Sequence, residues 1–208
     1  MRFPDARILV FAKAPLPGEV KTRLLPELTP RQAAGLHRSL VGDTLRRLSA
    51  ARLASIELWC APHPDLPFFR AQALRFGLEL FQQSNGDLGE RMAQAAREGL
   101  SRCRRLVLVG TDCPALDGAY VARALTTLAR RDAVLGPAED GGYVLLGLKR
   151  AAPELFAEIP WGTREVARLT RERMAALGWR WAELPCLWDL DRPPDLARYR
   201  ALGSQRPA

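Results

Sequence analysis

One basic loop and three acidic segments hold the residues able to do chemistry. The loop is Ala12-Lys13-Ala14-Pro15-Leu16-Pro17-Gly18-Glu19-Val20-Lys21-Thr22-Arg23. Three cations and a permissive glycine, Gly18, suit a polyphosphate, which needs positive charge and close backbone approach. Only three of the 31 basic residues are lysines, yet Lys13 and Lys21 both fall here. An ammonium is a compact point charge that fits among phosphate oxygens. The first acidic segment, Gly110-Thr111-Asp112-Cys113-Pro114, puts Asp112 at the end of an apolar run. A carboxylate there holds Mg²⁺ or Mn²⁺, hard cations that bridge to phosphate oxygens, or else caps a turn. The second, Glu139-Asp140-Gly141-Gly142, combines acids that bind an acceptor hydroxyl or a sugar with glycines that allow close approach. Asp140 is its best candidate for orienting or deprotonating an acceptor. The same four residues also suit a tight turn. The third is Asp189-Leu190-Asp191, whose two acids point the same way on an extended segment. Either could complete the metal site. Alternatively, Asp191 caps a helix starting at Pro193, with Asp195 in its first turn. His37, within a helix, and His63, in a Pro-rich turn, touch no motif and are poor bases. GxxxxGK[ST] and GxGxxG are both missing, which disfavours Walker-type ATP hydrolysis and Rossmann dinucleotide binding.

The elements that must position these residues read as alternating strands and helices. Arg7–Ala12, Ser55–Ala61, Leu78–Phe81, Leu106–Gly110, Ala133–Gly136, Tyr143–Leu148 and Trp179–Leu184 are apolar runs of strand length. Thr29-Pro30 starts a long helix with Ala33, Leu36, Leu40, Val41, Leu45 and Leu48 on one face. A second helix lies around Leu66–Phe76. Asp87 and Glu90 form a capping box opening a third, Asp117 caps a fourth, Thr163 caps a fifth that Gly178 closes, and Pro193 begins the last. Such alternation predicts a mostly parallel sheet covered on both faces. In these sheets ligands bind beyond the carboxyl ends of the strands, where all four segments fall.

Bulk properties narrow the classes. The 208 residues fit one α/β domain, here residues 1–202, with a flexible tail over residues 203–208. Apolar stretches are strand-sized and no leader pattern opens the chain, which points to a cytoplasmic protein without a membrane partner. The four cysteines form no CxxC pair, against a zinc or disulfide framework. The net charge of +8 is spread over helix faces as scattered arginines, with no basic block, so nucleic acid is not the expected partner.

The stretches AKAPLPGEVKTRL, GDLGERM, GTDCPAL, GPAEDGGYVLLGL, Trp161-Gly162-Thr163 and DLDRPPDL run over nearly the whole chain. Together they resemble the bacterial radical-SAM/selenodomain-associated transferase 1 family. That family is similar to the glycosyltransferase-A (GT-A) superfamily, including molybdenum-cofactor guanylyltransferase and phospholactate guanylyltransferase. The resemblance implies a single-domain, three-layer α/β/α fold with a mostly parallel mixed sheet. It implies a nucleotide over the first half of that sheet, with Lys13, Gly18, Lys21 and Arg23 at its phosphates. Gly86, Asp87 and Arg91 would lie near base or ribose, and Asp112 with Asp189 or Asp191 would hold Mg²⁺ or Mn²⁺. Two departures stand out: the GxGxRM-type loop of the nucleotidyltransferases is replaced by the Lys21-Thr22-Arg23 loop, and the DxD of the glycosyltransferases is a single Asp112. The reading that follows is glycosyl transfer from a nucleotide sugar to a small acceptor, its diphosphate neutralised by Lys13, Lys21 and Arg23. Nucleotidyl transfer from a nucleoside triphosphate, with release of pyrophosphate, is the alternative, and a non-catalytic nucleotide- or sugar-binding protein is a third. Base, sugar, acceptor and oligomeric state are not legible.

Overall fold

The computed structural model describes residues 1–204. Seven strands form one sheet, in the order β3-β2-β1-β4-β6-β5-β7. They are β1 (Ala6–Lys13), β2 (Ser55–Ala61), β3 (Glu79–Gln82), β4 (Arg105–Val109), β5 (Ala133–Pro137), β6 (Tyr143–Leu148) and β7 (Trp181–Glu183). All run parallel except β6, which pairs antiparallel with both β4 and β5. Six α-helices accompany them among the described residues: α1 (Pro30–Ala51), α2 (Pro67–Phe76), α3 (Leu88–Arg102), α4 (Gly118–Thr127), α5 (Val166–Ala176) and α6 (Pro193–Ser204). The expected α/β sheet with its mixed order is therefore present. The tail expected from residue 203 begins inside α6, and residues 205–208 lie outside the described residues.

Strand alternation divides the apolar residues between two faces. Ile8 and Val10 of β1 share one core with Val41 and Leu45 of α1 and Val121 of α4. Leu9 shares the other with Met92 and Ala96 of α3 and Met174 of α5. The result is three layers, helices on both sides of a sheet whose central strands are almost fully buried. No described helix is long and apolar enough to cross a membrane.

Caps fix the helix starts next to the ligand edge. Thr29 with Gln32 and Asp87 with Glu90 both form capping boxes, and Asp117 accepts the Tyr120 N–H at 2.8 Å. Thr163 does not cap α5 as expected. Its hydroxyl accepts the Glu165 N–H at 3.3 Å and donates to the Pro160 carbonyl at 2.8 Å, so it shapes the preceding turn. Glu165 takes the cap position without a side-chain bond.

A third cluster matters most for the site. Leu24, Leu40, Trp188, Leu190 and Leu196 pack together, so α6 and the strap before it press onto α1 and the turn at Thr22–Leu24. The strap is laced to the sheet edge at both ends. Leu187 N–H donates to the Pro137 carbonyl at 3.0 Å, and Leu190 N–H donates to the Asp112 carbonyl at 2.8 Å. Asp189 is thereby held between the ends of β5 and β4.

Candidate functional site

One cleft runs along the carboxyl edge of the sheet, and the segments singled out by sequence all reach it. Its central chamber is bordered by Lys13, Lys21, Arg23, Arg91, Asp112 and Asp191. On one side it opens to a polar recess with Pro62, His63, Gln83, Asn85 and Arg91. On the other it opens to an apolar recess with Phe11, Met92, Tyr143 and Trp161, where Asp140 and Asp189 are the acids. A fourth hollow, shared by Arg23, Glu139, Asp140 and Asp189, lies beyond the strap.

Asp112 leaves β4 after Gly110-Thr111 and meets Lys21. The lysine ammonium lies 2.7 Å from Asp112 Oδ1 and donates to the Leu190 carbonyl at 2.5 Å. Its side chain is only 2% exposed, whereas that of Asp112 is 46% exposed. Oδ1 itself is buried, so the exposed part of the carboxylate is its other oxygen and faces the cleft. Lys21 adopts φ 52 and ψ 35, the left-handed region that disfavours a residue with a side chain. A strained, buried lysine thus locks one oxygen of Asp112 and presents the other. Burial raises the carboxyl pKa. The Lys21 charge and its short contact to Oδ1 outweigh it and hold Asp112 well below the usual carboxylate range.

His37 corrects the sequence reading, which gave it no contact with any motif. It is buried on the inner face of α1. Its Nε2 lies 3.0 Å from the Lys13 carbonyl and its Nδ1 3.7 Å from Asp112 Oδ1. A carbonyl only accepts, so Nε2 carries a proton, while Nδ1 makes no hydrogen bond among the described residues. The signal was present: a polar residue on a stripe with Ala33, Leu40 and Val41 needs a partner. His63 also reaches the site, in the polar recess beside Gln82, at 3.3 Å from its amide nitrogen. Gln83, another residue missed, donates to the Trp59 carbonyl at 2.8 Å and the Ala12 carbonyl at 3.3 Å. Its nitrogen is thereby committed, and its oxygen is the end left for the recess.

The other candidates sort by their commitments. Lys13 is exposed at the chamber rim, and its ammonium has no partner among the described residues. Arg23 donates to Asp191 Oδ2 at 2.6 Å. Asp191 does not cap α6; instead Asp195 reaches back to the N–H groups of Asp191 and Arg192 at 3.1 and 2.7 Å. Gly18 has φ +84 and open space around it, so it shapes the loop. Asp87 is spent on its cap, while Arg91 donates to the Gly86 carbonyl at 2.9 Å and spans the central chamber and the polar recess. Glu139 pairs with Arg198 at 2.9 Å. Asp140 accepts the Gly142 N–H at 2.9 Å, so the turn reading holds for it, yet it also borders the apolar recess. Gly141, at φ +90, lets the turn lie against Arg164, where an added Cβ would sit 2.3 Å from the Arg164 carbonyl oxygen. Cys113 is buried and its thiol is pushed up to about 12 by that burial, which makes it inert.

Asp189 is the most perturbed acid. Burial first, then the charges of Asp112 and Asp140, push its carboxyl up to about 7, against partial relief from Lys21. Three carboxylates therefore feel one another across the cleft without any of their number being neutralised by Lys13. Among the described residues no three His, Cys, Asp or Glu side chains close into a metal cage. Two carboxylates, Asp112 and Asp189, fit the mode in which Mg²⁺ is held by one or two carboxylates together with substrate phosphates.

The comparisons with known proteins agree with this architecture. A Desulfovibrio desulfuricans G20 protein assigned to the nucleotide-diphospho-sugar transferases has a structure that superposes with a TM-score of 0.87 at 34% identity, covering 98% of this chain and 90% of that one. A cytidylyltransferase from Leptospira borgpetersenii shares the fold at 17% identity, with a TM-score of 0.64 over 99% of this chain and 89% of its own. In sequence, 136 residues are 29% identical to the 2-phospho-L-lactate guanylyltransferase of Methanothermobacter thermautotrophicus, covering 65% of this chain and 59% of that protein. Residues 44–163 match the family model described as an uncharacterized protein conserved in bacteria (DUF2064), and the chain belongs to that family.

Proposed function

We propose that this protein is a divalent-metal-dependent transferase that uses a nucleotide-activated donor, with glycosyl transfer from a nucleotide sugar to a small acceptor as the reaction. The observation that carries the reading is Asp112, one oxygen locked on buried Lys21 and the other offered to the cleft opposite Asp189. Asp112 and Asp189 would hold Mg²⁺ or Mn²⁺, whose chemistry is to neutralise a diphosphate as it leaves. Lys13, Arg23 and Arg91 border the same chamber and supply positive charge to phosphate oxygens. Lys21 acts one step back, by fixing Asp112. The polar recess around Gln83 and His63 takes the nucleoside end. In the transfer, the acceptor oxygen bonds to the anomeric carbon, the bond from that carbon to the diphosphate oxygen breaks, and the hydroxyl proton passes to Asp140. The similarity to a guanylyltransferase favours a second reading, in which the acceptor oxygen attacks the α-phosphorus of a nucleoside triphosphate and pyrophosphate leaves.

Thermal unfolding with Mn²⁺ and a panel of nucleotide sugars and nucleoside triphosphates tests both. A ligand at about 100 times its dissociation constant stabilises the fold by roughly 2.7 kcal/mol. For a chain of this size that is a shift of roughly 5–10 °C. The shift should vanish with EDTA and in folded Asp112→Ala. A nucleotide-sugar shift identifies glycosyl transfer and a triphosphate-only shift nucleotidyl transfer. An equal shift with EDTA, or in Asp112→Ala, overturns the metal assignment.

A further inference from the structure

We infer that the apolar recess beside Asp140 and Asp189 is the acceptor site, and that its acceptor is an uncharged alcohol or phenol with a compact apolar body and one reacting hydroxyl. The inference rests on the transferase reading for the identity of the site and goes beyond it by naming the acceptor class. Phe11 from β1, Met92 from α3, Tyr143 from β6 and Trp161 from the loop before α5 form the walls. Trp161 stands edge-on to Tyr143 with ring centroids 6.3 Å apart, the arrangement of a rigid aromatic corner. Leu88, the first residue of α3, is 43% exposed at the rim, one of few large apolar side chains so exposed among the described residues. The side chains of Val144 and Val166 add to the same lining.

Charge in the lining is confined to two acids; its other polar side-chain atoms are the Thr163 hydroxyl, which donates to the Pro160 carbonyl, the Tyr143 hydroxyl, 3.8 Å from Met92 Sδ, and the Trp161 indole N–H. Lysine, arginine, histidine, asparagine and glutamine are all missing from the described lining, and its side-chain acids are Asp140 and Asp189. A sugar acceptor would bury several hydroxyls against carbon, each costing free energy when unpaired. With the metal at Asp189 engaged by the diphosphate, a phosphorylated or carboxylated acceptor would bring its negative charge to Asp140 in a wall with no lysine, arginine or histidine. An apolar body with a single hydroxyl meets neither penalty, because its one polar group lies where the carboxylates are. Gly141 keeps that end in place by letting the turn of Asp140 lie against Arg164.

The test uses the full chain and two variants, Trp161→Ala and Val166→Thr, the second of nearly the same shape with one added hydroxyl, each first checked for a cooperative thermal transition. Probes are 4-methylphenol, cyclohexanol, glucose and glycerol 3-phosphate, titrated by calorimetry with and without Mn²⁺ and a stabilising nucleotide. The phenol and cyclohexanol should bind, the glucose and glycerol 3-phosphate should not, and Trp161→Ala should weaken the phenol about ten-fold, the loss of one ring contact. Val166→Thr should weaken it several-fold while nucleotide stabilisation is retained in both variants. Binding of glucose or glycerol 3-phosphate that Trp161→Ala abolishes overturns the inference. So does phenol binding unchanged in both variants, or no phenol binding by a protein that Mn²⁺ and nucleotide stabilise. Phenol binding that obeys both variants in a protein stabilised by no nucleotide would uphold the recess and sink the donor reading instead.

Discussion

Asp189→Asn separates the cost of the acidic cleft from its use. The Asp189 carboxyl is moved from 3.8 to about 7, by burial first and by Asp112 and Asp140 next. At about 1.4 kcal/mol per tenfold in proton affinity, the ionised form costs the folded chain at most about 4 kcal/mol. Asp189 is partly exposed, and solvent screening reduces this to roughly 1–2 kcal/mol. Between about pH 4 and pH 7 the folded chain keeps a proton on this group that the unfolded chain has released. The contribution to stability therefore falls as pH rises through that window and is flat above it. Asparagine keeps the size and cannot ionise. In EDTA near pH 8 the variant should gain roughly 1–2 kcal/mol, or about 3–6 °C in Tm. Near pH 5 the gain should shrink to less than half, since most wild-type molecules there already carry the proton. With Mn²⁺ and nucleotide near pH 8 the order should invert, because the variant lacks a ligand. Thermal melts of both proteins at the two pH values give all four numbers. A gain independent of pH, or a loss near pH 8, refutes the electrostatic account. A pH-dependent gain with unimpaired Mn²⁺-nucleotide stabilisation would keep that account and pass the ligand role to Asp191.

Lys21→Met keeps much of the side-chain volume and removes the ammonium from Asp112 and the Leu190 carbonyl, two charge-assisted contacts of 2.7 and 2.5 Å. Metal-free stability, read from urea midpoints, should fall by about 2 kcal/mol; a lysine that served only incoming phosphate would leave it unchanged. Gly141→Ala places a Cβ 2.3 Å from the Arg164 carbonyl oxygen at φ +90, while Gly18→Ala at φ +84 meets open space. The first should cost about 2 kcal/mol or more and the second about 1 kcal/mol, and equal losses would show that conformational strain, not the close approach, is the reason for glycine at position 141.

The sheet was legible because its strands are continuous apolar runs and its helices announce themselves with caps. Arg105–Val109 and Tyr143–Leu148 are buried on both faces, and the pairs Asp87 with Glu90 and Thr29-Pro30 mark helix starts by local chemistry alone. The rule that ligands gather at the carboxyl ends of strands then picked out loops that the fold brings to one cleft. Side-chain direction was not legible. Lys21 lies in a loop of cations, and composition alone turns it toward phosphate. Its left-handed backbone and the packing of Leu24 against Leu190 turn it inward. The apolar recess was equally hidden, since its walls come from elements separated by up to 155 positions, from Phe11 to Val166. His37 was readable in principle, as a polar residue on an apolar stripe, but its partner, the Lys13 carbonyl, is a backbone atom that no residue type reveals. The inward turn of Lys21 has a cost that explains its partners. A residue in the left-handed region costs about 1 kcal/mol or more, and a buried ammonium costs several. Neither is tolerated unless a fixed partner answers it, and here Asp112 and the Leu190 carbonyl answer Lys21. That pairing is what orients the one carboxylate oxygen left facing the cleft.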